Sequence, residues 1–394
     1  MEPTIKQLVL KRFRSIPSER ITFDNPTIFV GRNGSGKSNL VSAFSFLADA
    51  MASPLQAVFD KAGGISTVRN RTSGRSYPPN LGLRVDFGRL NGKASSGFYA
   101  FEVRALKNYG FSVVREQCSV GSAWFDRIGT KFTSNVGGMK PSLDPSSLSL
   151  PLVGGEAKFA PVLRTLASMR VYSIEPRKLR EMQDPDSGTS LKPDGSNVTS
   201  VLKEIERQSD RDFERISDIL ATIVPNTKQV EVKKHGKNLS LEFTQEWGER
   251  KRLKFEGFSM SDGTLRAIGM LAAVFQRPVP SLIAVEEPEA TIHPGALESV
   301  LDLLRHASKH MQVVITTHSP ELLDAKWITD QHLRIVEWTE GATRVAPVSD
   351  ATRKALHDHL MGAGELLRSN ALDPASLFDH EEKLMQGELF EDFA

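Results

Sequence analysis

Apolar residues along this chain follow two periods. Short apolar or alternating runs are typical of strands, and they cover residues 5–13, 20–23, 27–30, 81–87, 98–105, 111–120 and 122–128. The last four runs lie close together and predict an antiparallel meander. Helical periodicity follows the third run, where Leu40, Phe44, Leu47 and Met51 share one face.

The same mixture continues to the end of the chain. Helices are predicted at 159–169, 198–208, 210–223, 352–361 and 364–369, with strands at 170–174, 229–234, 239–245, 251–255, 333–338 and 343–348. Polar stretches rich in glycine, serine or proline are expected to be loops at 63–80, 130–155 and 183–196. The acidic, phenylalanine-containing end at 381–393 fits a solvated terminus better than a segment that docks a partner.

A glycine-rich loop separates the third strand from the first helix and fits the pattern G-x-x-x-x-G-K-[ST]. Its sequence is Gly31-Arg32-Asn33-Gly34-Ser35-Gly36-Lys37-Ser38, followed by Asn39. Glycines let backbone N–H groups wrap phosphates closely. Lys37 is expected on the β/γ-phosphates and the Ser38 hydroxyl on Mg²⁺. A chance glycine turn is the alternative, and the flanking strand and helix argue against it.

Composition narrows the class of protein without naming its ligand. The 394 residues carry a formal net charge of +2, which neither demands nor excludes nucleic acid. A single cysteine, Cys118, excludes an internal disulfide and a cysteine-based metal cluster. No apolar run approaches the ~20 residues that span a bilayer, and the N-terminus has no charged and then apolar leader. We therefore expect a cytoplasmic protein without membrane contact.

An apolar run at 282–285 has the character of a buried parallel strand and ends in two acids, Glu286 and Glu287. In a P-loop fold this edge carries the metal and the attacking water, so Glu286 is expected to orient Mg²⁺ and Glu287 to polarise the water. Capping of a helix is the alternative role. The buried strand before the acids and Pro288 after them favour a Walker B site.

A second buried strand is predicted at 312–317, and His318-Ser319-Pro320 follows its carboxyl end. A histidine at this edge can contact the γ-phosphate or its water, although a lone histidine is usually unremarkable. Its position at the predicted catalytic edge favours the functional role.

The segment 258–264 opens a predicted helix, and Ser261 and Gly263 lie in its first turn. Backbone N–H groups at such a turn favour an anion. An ordinary serine cap explains the same residues. The segment alone leaves both interpretations open.

The order GRNGSGKS, MSDGTLR, LIAVEEPEATIHP, VVITTHSP resembles the ABC-type ATPase heads of the SMC, RecF and OLD branch, closest to its stand-alone bacterial AAA-family ATPases. The resemblance covers 1–50 and 255–340, and more weakly 172–176 and 193–197. It implies an α/β fold: a P-loop head with a mixed sheet flanked by helices, an antiparallel β subdomain, and a small helical lobe between Walker A and the signature motif.

Four segments follow from this resemblance. They are an N-terminal ATPase lobe with Walker A and the meander (1–130), an inserted loop, helical lobe and returning strands (131–255), a C-terminal ATPase lobe (256–348), and C-terminal helices with an acidic tail (349–394).

The resemblance also implies residue roles. Catalytic roles are expected for Glu287, His318 and Lys37, with Ser38 and Glu286 on Mg²⁺. ATP contacts are expected from Gly31, Asn33, Gly34, Ser35, Gly36, Lys37, Ser38, Asn39, Ser261 and Gly263. In this family the signature turn contacts the nucleotide of a second subunit, which implies a head-to-head homodimer formed on ATP. His293 falls where the intersubunit loop usually has aspartate.

Some positions depart from the usual pattern. Glu286 replaces the commoner aspartate, and Met-Ser-Asp-Gly-Thr replaces Leu-Ser-Gly-Gly-Gln. Both look usual for this branch, so ATP hydrolysis is expected. Gln117 is a candidate Q-loop residue because it ends a predicted strand. The sequence after His318 has no Asp-x-Asp cluster, so no Toprim nuclease domain is expected.

Two functions of different class follow. The first is an ATP-hydrolysing switch that clamps DNA or controls a separate effector or nuclease, in DNA repair or anti-phage defence. The second is a nucleotide-gated scaffold that binds ATP and a partner protein with little turnover. Basic clusters carry the DNA hypothesis; they contain Arg69, Arg71, Arg75, Lys233, Lys234, Arg250, Lys251 and Arg252.

Overall fold

The computed structural model describes residues 4–70, 79–90, 93–107, 110–247, 251–375 and 389–393. They divide into two units. The first unit contains the chain before Arg170, residues 329–362 and the residues from Leu366 onward; the second contains 170–328 and 363–365. The four segments expected from the sequence stay a prediction.

Strands and helices alternate in the mixture that the hydrophobic pattern predicts. The strands are β1 (Ile5–Phe13), β2 (Ile16–Thr22), β3 (Thr27–Val30), β4 (Asn80–Leu90), β5 (Lys93–Ala105), β6 (Phe111–Val120), β7 (Ala123–Ile128), β8 (Lys131–Ser134), β9 (Arg170–Tyr172), β10 (Thr227–His235), β11 (Asn238–Trp247), β12 (Lys251–Glu256), β13 (Leu282–Glu286), β14 (Gln312–Thr317), β15 (Leu333–Thr339) and β16 (Ala342–Ala346). The helices are α1 (Lys37–Ala52), α2 (Leu55–Lys61), α3 (Ile65–Val68), α4 (Leu150–Val153), α5 (Ala160–Ala167), α6 (Pro176–Arg180), α7 (Val198–Gln208), α8 (Asp210–Ile223), α9 (Asp262–Phe275), α10 (Pro294–Ala307), α11 (Pro320–Leu323), α12 (Asp350–His357) and α13 (Ala363–Arg368).

A seven-stranded antiparallel sheet forms much of the first unit, in the order β2-β1-β4-β5-β6-β7-β8. Side chains alternate across its strands, so residues such as Leu83, Tyr99 and Phe125 enter the buried core. The predicted meander is present, and Cys118 is buried within it. In the same unit β3 pairs in parallel with β15, which pairs antiparallel with β16.

The stretch 130–155, expected to be a loop, contains β8 and α4. The buried Arg127 guanidinium explains this order, because it donates to the carbonyl oxygens of Gly129 and Asp144 at 2.8 and 2.7 Å. A buried arginine must satisfy its donors, and here it does so on the backbone of a later segment. That segment itself carries no local signal of the contact.

The C-terminal prediction is wrong for residues 389–393, which lie against the seven-stranded sheet rather than in solvent. Leu389 is only 4% exposed, and the Phe393 ring stacks on Trp124 with centroids 4.7 Å apart. A complementary face on the sheet holds this segment, and nothing near it in sequence reveals that face. The acids at 381, 382 and 388 lie outside the described residues.

Parallel strands form the centre of the second unit. β13 pairs with β9 on one side and with β14 on the other. Residues 282–285 and 312–317 are buried, as their apolar runs predict. The register places Glu286 opposite Thr316, so the ends of both strands meet at one edge. β10, β11 and β12 form a separate antiparallel sheet.

None of the described helices is both long and apolar enough to pass through a bilayer.

Candidate functional site

The predicted phosphate loop joins β3 to α1 in the first unit. Gly34 and Gly36 adopt left-handed backbone angles, with φ of 80° and 103°, which residues with a Cβ rarely adopt. The N–H of Ser35 donates to the carbonyl oxygen of Arg32 at 3.1 Å and closes the turn. The backbone therefore curls tightly at the N-terminus of a sixteen-residue helix.

Two glycines of this loop lie where a side chain has no room. A Cβ on Gly31 would overlap the carbonyl oxygen of Val336, and one on Gly36 would overlap the Thr343 hydroxyl. Both partners belong to β15 and β16 in the same unit. The glycines thus permit the left-handed turn and also allow close packing of the loop against these strands.

Lys37 is buried at the first position of α1. Its Nζ donates to the carbonyl oxygens of Gly31 and Arg32 at 2.8 and 3.0 Å. The ammonium group is therefore held across the loop, among the backbone groups that would surround a phosphate. Ser38 and Asn33 are exposed at the loop surface.

A chain of hydroxyl and amide groups supports the loop. Asn39 Nδ2 donates to Ser15 Oγ at 2.8 Å, and Ser15 Oγ is 2.7 Å from Thr343 Oγ1. Thr343 Oγ1 in turn donates to the carbonyl oxygen of Ser35 at 3.1 Å. Asn39, predicted to contact nucleotide, is thus engaged in holding the loop, and its nucleotide role stays a prediction.

The loop offers a phosphate group a free hydroxyl as well as a suitable backbone shape. The Ser35 hydroxyl is buried, and no described residue forms a hydrogen bond with it. Buried hydroxyls normally have a partner. An adjoining cavity of about 620 Å³ is lined in part by Asn33, Gly34 and Ser35, which leaves a ligand room to reach the loop.

The acids predicted to form a Walker B site lie in the second unit, where β13 ends. We call these acids and the residues that contact them the carboxylate half, and we call residues 31–38 the loop half. Glu286 is the last residue of β13, and Glu287 follows with φ of 45°. The N–H of Glu287 donates to the Thr316 carbonyl oxygen at 3.0 Å and lies 3.3 Å from the Thr316 hydroxyl. This left-handed turn, pinned to β14, directs the Glu287 side chain toward the residue that follows that strand.

That residue is His318. Its Nδ1 lies 3.0 Å from Glu287 Oε1, and both side chains are partly exposed. The apolar runs before Glu287 and His318 predict both residues at one strand edge, and the structure brings them into hydrogen-bond contact. A carboxylate oriented by an imidazole and open to solvent can accept a proton from water.

Sequence reasoning missed Arg266 and Glu289. Arg266, on α9, donates from Nη1 to the carbonyl oxygen of Glu287 at 3.3 Å, and burial lowers the pKa of this guanidinium. Glu289 Oε1 accepts from the Thr317 hydroxyl at 2.6 Å, and burial raises the pKa of this carboxyl. Their positions in the sequence could have identified them, because Arg266 ends the motif MSDGTLR and Glu289 ends the motif EEPE.

The signature turn opens α9 at the surface. Ser261 is exposed and caps the helix, because its hydroxyl accepts from the N–H of Thr264 at 3.2 Å. A Cβ on Gly263 would approach the Thr291 carbonyl oxygen to 2.6 Å. The cap interpretation is therefore correct for Ser261, and the exposed turn remains available to a ligand as well.

Residues 290–293 follow the acids and lie beside this turn. Thr291 has φ of 64°, an unusual conformation for a β-branched residue. His293 caps α10, since its Nδ1 accepts from the N–H of Gly295 at 3.1 Å. Aspartate caps helices in the same way, so histidine preserves the local geometry here.

Gln117 is not a nucleotide contact. It is fully buried, and its amide forms two hydrogen bonds with the backbone of Glu391, at 2.8 and 2.9 Å. The Q-loop hypothesis for this residue is wrong because its side chain binds the C-terminal segment.

Known proteins are similar to this chain over both regions described above, the loop and the acids. The sequence profile of the family described as "AAA domain, putative AbiEii toxin, Type IV TA system" matches residues 27–116 and 164–324. No curated protein matches the chain. A solved SmcHead bound to the C-winged helix domain of ScpA aligns with a TM-score of 0.59 and 16% identity, over 89% of this chain and 100% of that one.

A second structure, the Pyrococcus furiosus Smc head domain with an extended coiled coil bound to the C-terminal domain of ScpA, aligns with a TM-score of 0.55. Identity is 13%, over 91% of this chain and 99% of that one. These likenesses show the fold of an SMC-type ATPase head, as the motif order predicts.

Proposed function

Because the chain belongs to the AAA-domain family whose profile it matches, and has the fold of an SMC-type ATPase head, we propose that it binds ATP with Mg²⁺ and hydrolyses it. The observation that carries this proposal is the Glu287–His318 pair at the end of two buried parallel strands. A capping role alone explains neither the contact nor the left-handed backbone of Glu287.

The loop half binds the nucleotide in this proposal. Backbone N–H groups of residues 31–38 surround the phosphates, Lys37 places its charge among them, and Asn33 lies at the γ-phosphate. Mg²⁺ would be held by the Ser38 hydroxyl and the Glu286 carboxylate, oxygen ligands of the kind this ion prefers. When bound, Mg²⁺ neutralises charge that develops on the phosphate oxygens.

The carboxylate half performs hydrolysis. Glu287 Oε1 accepts a proton from the attacking water, and His318 Nδ1 holds that carboxylate in place. Arg266 and the two Thr316 contacts fix the backbone of Glu287. No group in this set needs to form a covalent bond with the substrate.

The test is phosphate release by the purified protein with Mg²⁺ and ATP. Wild-type turnover is expected to exceed that of Lys37→Ala and Glu287→Gln by at least about 100-fold, the usual contribution of a positioned base or charge. Arg207→Ala, an exposed change far from both halves in sequence, is the matched control. Wild-type turnover no higher than that of the two site variants would contradict the proposal.

We further propose a homodimer that closes head to head on ATP, each copy offering its Ser261–Gly263 turn to the nucleotide of the other. The exposure of Ser261 supports this, and so does Arg180, which holds the turn by binding Asp262 at 2.5 Å and the Met260 carbonyl oxygen at 2.9 Å. A rigid exposed helix N-terminus suits an incoming phosphate.

Sedimentation of Glu287→Gln tests the dimer, since slow turnover would preserve the bound state. A dimer is expected with Mg²⁺ and ATP, and a monomer without nucleotide. Adding Ser261→Arg should keep ATP binding and abolish the dimer. A protein that stays monomeric while saturated with ATP overturns the proposed assembly.

Downstream, the closed dimer would clamp DNA or control a separate effector or nuclease, in the cytoplasm, during DNA repair or anti-phage defence. The two matched Smc heads are bound to ScpA domains in their solved structures. A nucleotide-gated scaffold with little turnover is the rival function. ATP-dependent dimerisation without phosphate release would favour that rival.

The two groups of basic residues behind the DNA hypothesis differ in how far nearby carboxylates neutralise them. On β10 to β12, Lys233 lies 2.7 Å from Glu231, and Arg252 lies 3.5 Å from Glu246. These carboxylates reduce the positive potential there, so the arginines at 69–75 carry most of the hypothesis. Residues 71, 75 and 250 lie outside the described residues.

Binding of a labelled DNA duplex over a range of salt concentrations tests this role. Affinity is expected to fall steeply with salt, and replacing Arg71 and Arg75 by alanine should reduce the log–log slope by about 2. Lys233→Ala, which removes a charge already compensated by Glu231 and Glu242, should leave the slope nearly unchanged. A flat salt dependence of the wild type contradicts DNA binding.

A further inference from the structure

Residues 389–393 pack on the face of the seven-stranded sheet that is opposite its buried core. The strand register brings its residues together, since Arg84 pairs with Ala100 and Ala100 with Gln117. We call it the tail-binding face, and define it by Gly82, Arg84, Phe98, Arg115, Gln117 and Trp124. Residues 389–393, Leu-Phe-Glu-Asp-Phe, form the C-terminal segment that lies on it.

Gln117 recognises the backbone of the C-terminal segment. Its Nε2 donates to the Glu391 carbonyl oxygen at 2.8 Å, and its Oε1 accepts from the Glu391 N–H at 2.9 Å. The pair reproduces the two hydrogen bonds that a neighbouring strand would make. Arg115 adds a contact from Nη2 to the same carbonyl oxygen at 3.2 Å.

Side chains at alternate positions of the segment make the remaining contacts with the face. Leu389 is buried against Gly82, where a Cβ would overlap the leucine methyl. Arg84 binds the Glu391 carboxylate at 2.5 Å and donates to the Leu389 carbonyl oxygen at 3.3 Å. Phe393 closes the segment on the Trp124 ring, with an angle of 17° between the ring planes.

The face is organised for this ligand by its own residues. Asp86 binds the Arg84 guanidinium at 2.7 and 3.0 Å, and Asp126 binds Arg115 at 2.8 and 3.1 Å. The Arg84 guanidinium also lies 3.9 Å from the centre of the Phe98 ring. Both cations are therefore oriented by contacts that do not involve the segment, which lowers the entropic cost of binding a peptide.

We propose that the tail-binding face is a peptide-recognition site for the pattern Leu-x-Glu-x-Phe, and that the chain's own C-terminal segment is its resident ligand. Residues 376–388 connect that segment to the chain, so it binds as an intramolecular ligand with an effective concentration of about a millimolar. A free peptide of the same sequence binds the face once the resident segment is weakened. This site is independent of the proposed ATP hydrolysis.

The test uses the full chain and a fluorescein-labelled peptide with the sequence of residues 387–394. The Leu389→Ala/Phe393→Ala variant weakens the resident segment, and it is expected to bind the peptide at least about tenfold more tightly than the wild type does, because the wild-type segment competes. Leu152→Ala, which also shortens a leucine but lies outside the face, should bind as weakly as the wild type.

Specificity is measured in the weakened background. In the peptide, the glutamate that corresponds to Glu391 is changed to glutamine; in the protein, Arg84→Ala is added. Either change should weaken binding by about tenfold, as expected for a charge-assisted pair. A scrambled peptide should not bind. A folded double variant that binds no peptide, or binds the scrambled peptide equally well, overturns the proposal.

Hydrogen exchange on the unmodified chain gives an answer that needs no variant. The Glu391 N–H is expected to exchange at least about tenfold more slowly than in the free peptide, because Gln117 accepts its hydrogen bond. Exchange at the free-peptide rate overturns the proposal even if the double variant fails to fold.

Discussion

The phosphate loop and the carboxylate cluster are built in opposite ways. The loop is one continuous segment, and its donors are backbone groups whose course is fixed by Gly34 and Gly36. The cluster combines Glu287, His318 and Arg266 from three segments, and their contacts depend on strand register and burial. In the proposed function, nucleotide binding depends first on local stereochemistry, with packing against Val336 and Thr343 as a second requirement. Hydrolysis depends on long-range packing throughout. Changes in the two regions should therefore fail differently.

Gly36→Ala should have the largest effect on binding. Its methyl group would overlap the Thr343 side chain, and the backbone would stay at φ of 103°, so the loop must move. Overpacking of this kind costs about 1–3 kcal/mol, and the strained left-handed backbone costs about 1–2 kcal/mol more. We therefore expect a loss of ATP affinity on the order of 100-fold by calorimetry.

Gly34→Ala is the matched control for this change. The same added methyl group meets open space there, and only the left-handed backbone at φ of 80° is strained. A cost of ~1 kcal/mol, about a fivefold loss of affinity, is expected. Equal losses in the two variants would show that packing against Thr343 does not shape the loop.

Arg266→Ala should reduce turnover by about tenfold while ATP affinity stays at the wild-type level, because the arginine positions the Glu287 backbone without belonging to the loop. Steady-state kinetics and calorimetry together separate the two quantities. Loss of affinity with unchanged turnover at saturation would place Arg266 in the binding half instead.

Glu289→Gln should change turnover by less than about threefold. Burial raises the pKa of Glu289 and so favours its neutral form, and glutamine keeps the oxygen that accepts from Thr317. Phosphate release by Glu289→Gln and by Glu287→Gln is measured side by side in the same assay. Equal loss in both variants would mean that the cluster acts through both acids.

The last prediction concerns the stability of the loop's unit rather than ATP affinity or turnover. Burial raises the pKa of Glu19 from 4.5 to about 7, against the opposing influence of the Val345 N–H and Arg344. The folded state therefore holds this proton more tightly, and the stabilisation present below pH 4.5 is lost as the pH rises through 7.

Glu19→Gln removes this titration. Relative to the variant, the wild type should lose on the order of 2–3 kcal/mol between pH 4.5 and 8, measured by denaturant unfolding at several pH values. Parallel pH profiles for the two proteins would contradict the assignment. The variant keeps an oxygen for the Val345 N–H, which Glu19 now accepts at 3.3 Å.

The sequence predicts the parts of this molecule that have local causes. The glycine pattern of residues 31–38 predicts the loop, and the apolar runs before Glu286 and His318 predict their common edge. β2 begins at Ile16 rather than at the predicted residue 20. Ile16 pairs with Phe13 across a tight turn, and the strand continues through Pro17. That error concerns a boundary and leaves the architecture unchanged.

Other features had no local cause to detect. Arg127 binds the backbone of Asp144, 17 residues later, and Gln117 binds the backbone of Glu391, 274 residues later. The contact of Arg266 with a backbone oxygen requires α9 to pack beside the acids. Such contacts follow from tertiary packing, which periodicity and motif spacing do not encode.

The most direct test of the division between the halves is a paired measurement on Glu287→Gln: ATP affinity by calorimetry and phosphate release under the same conditions. We predict affinity within about threefold of the wild type and turnover reduced by at least about 100-fold. Loss of both together, or retention of both, would contradict the account in which the loop binds ATP and Glu287 drives its hydrolysis.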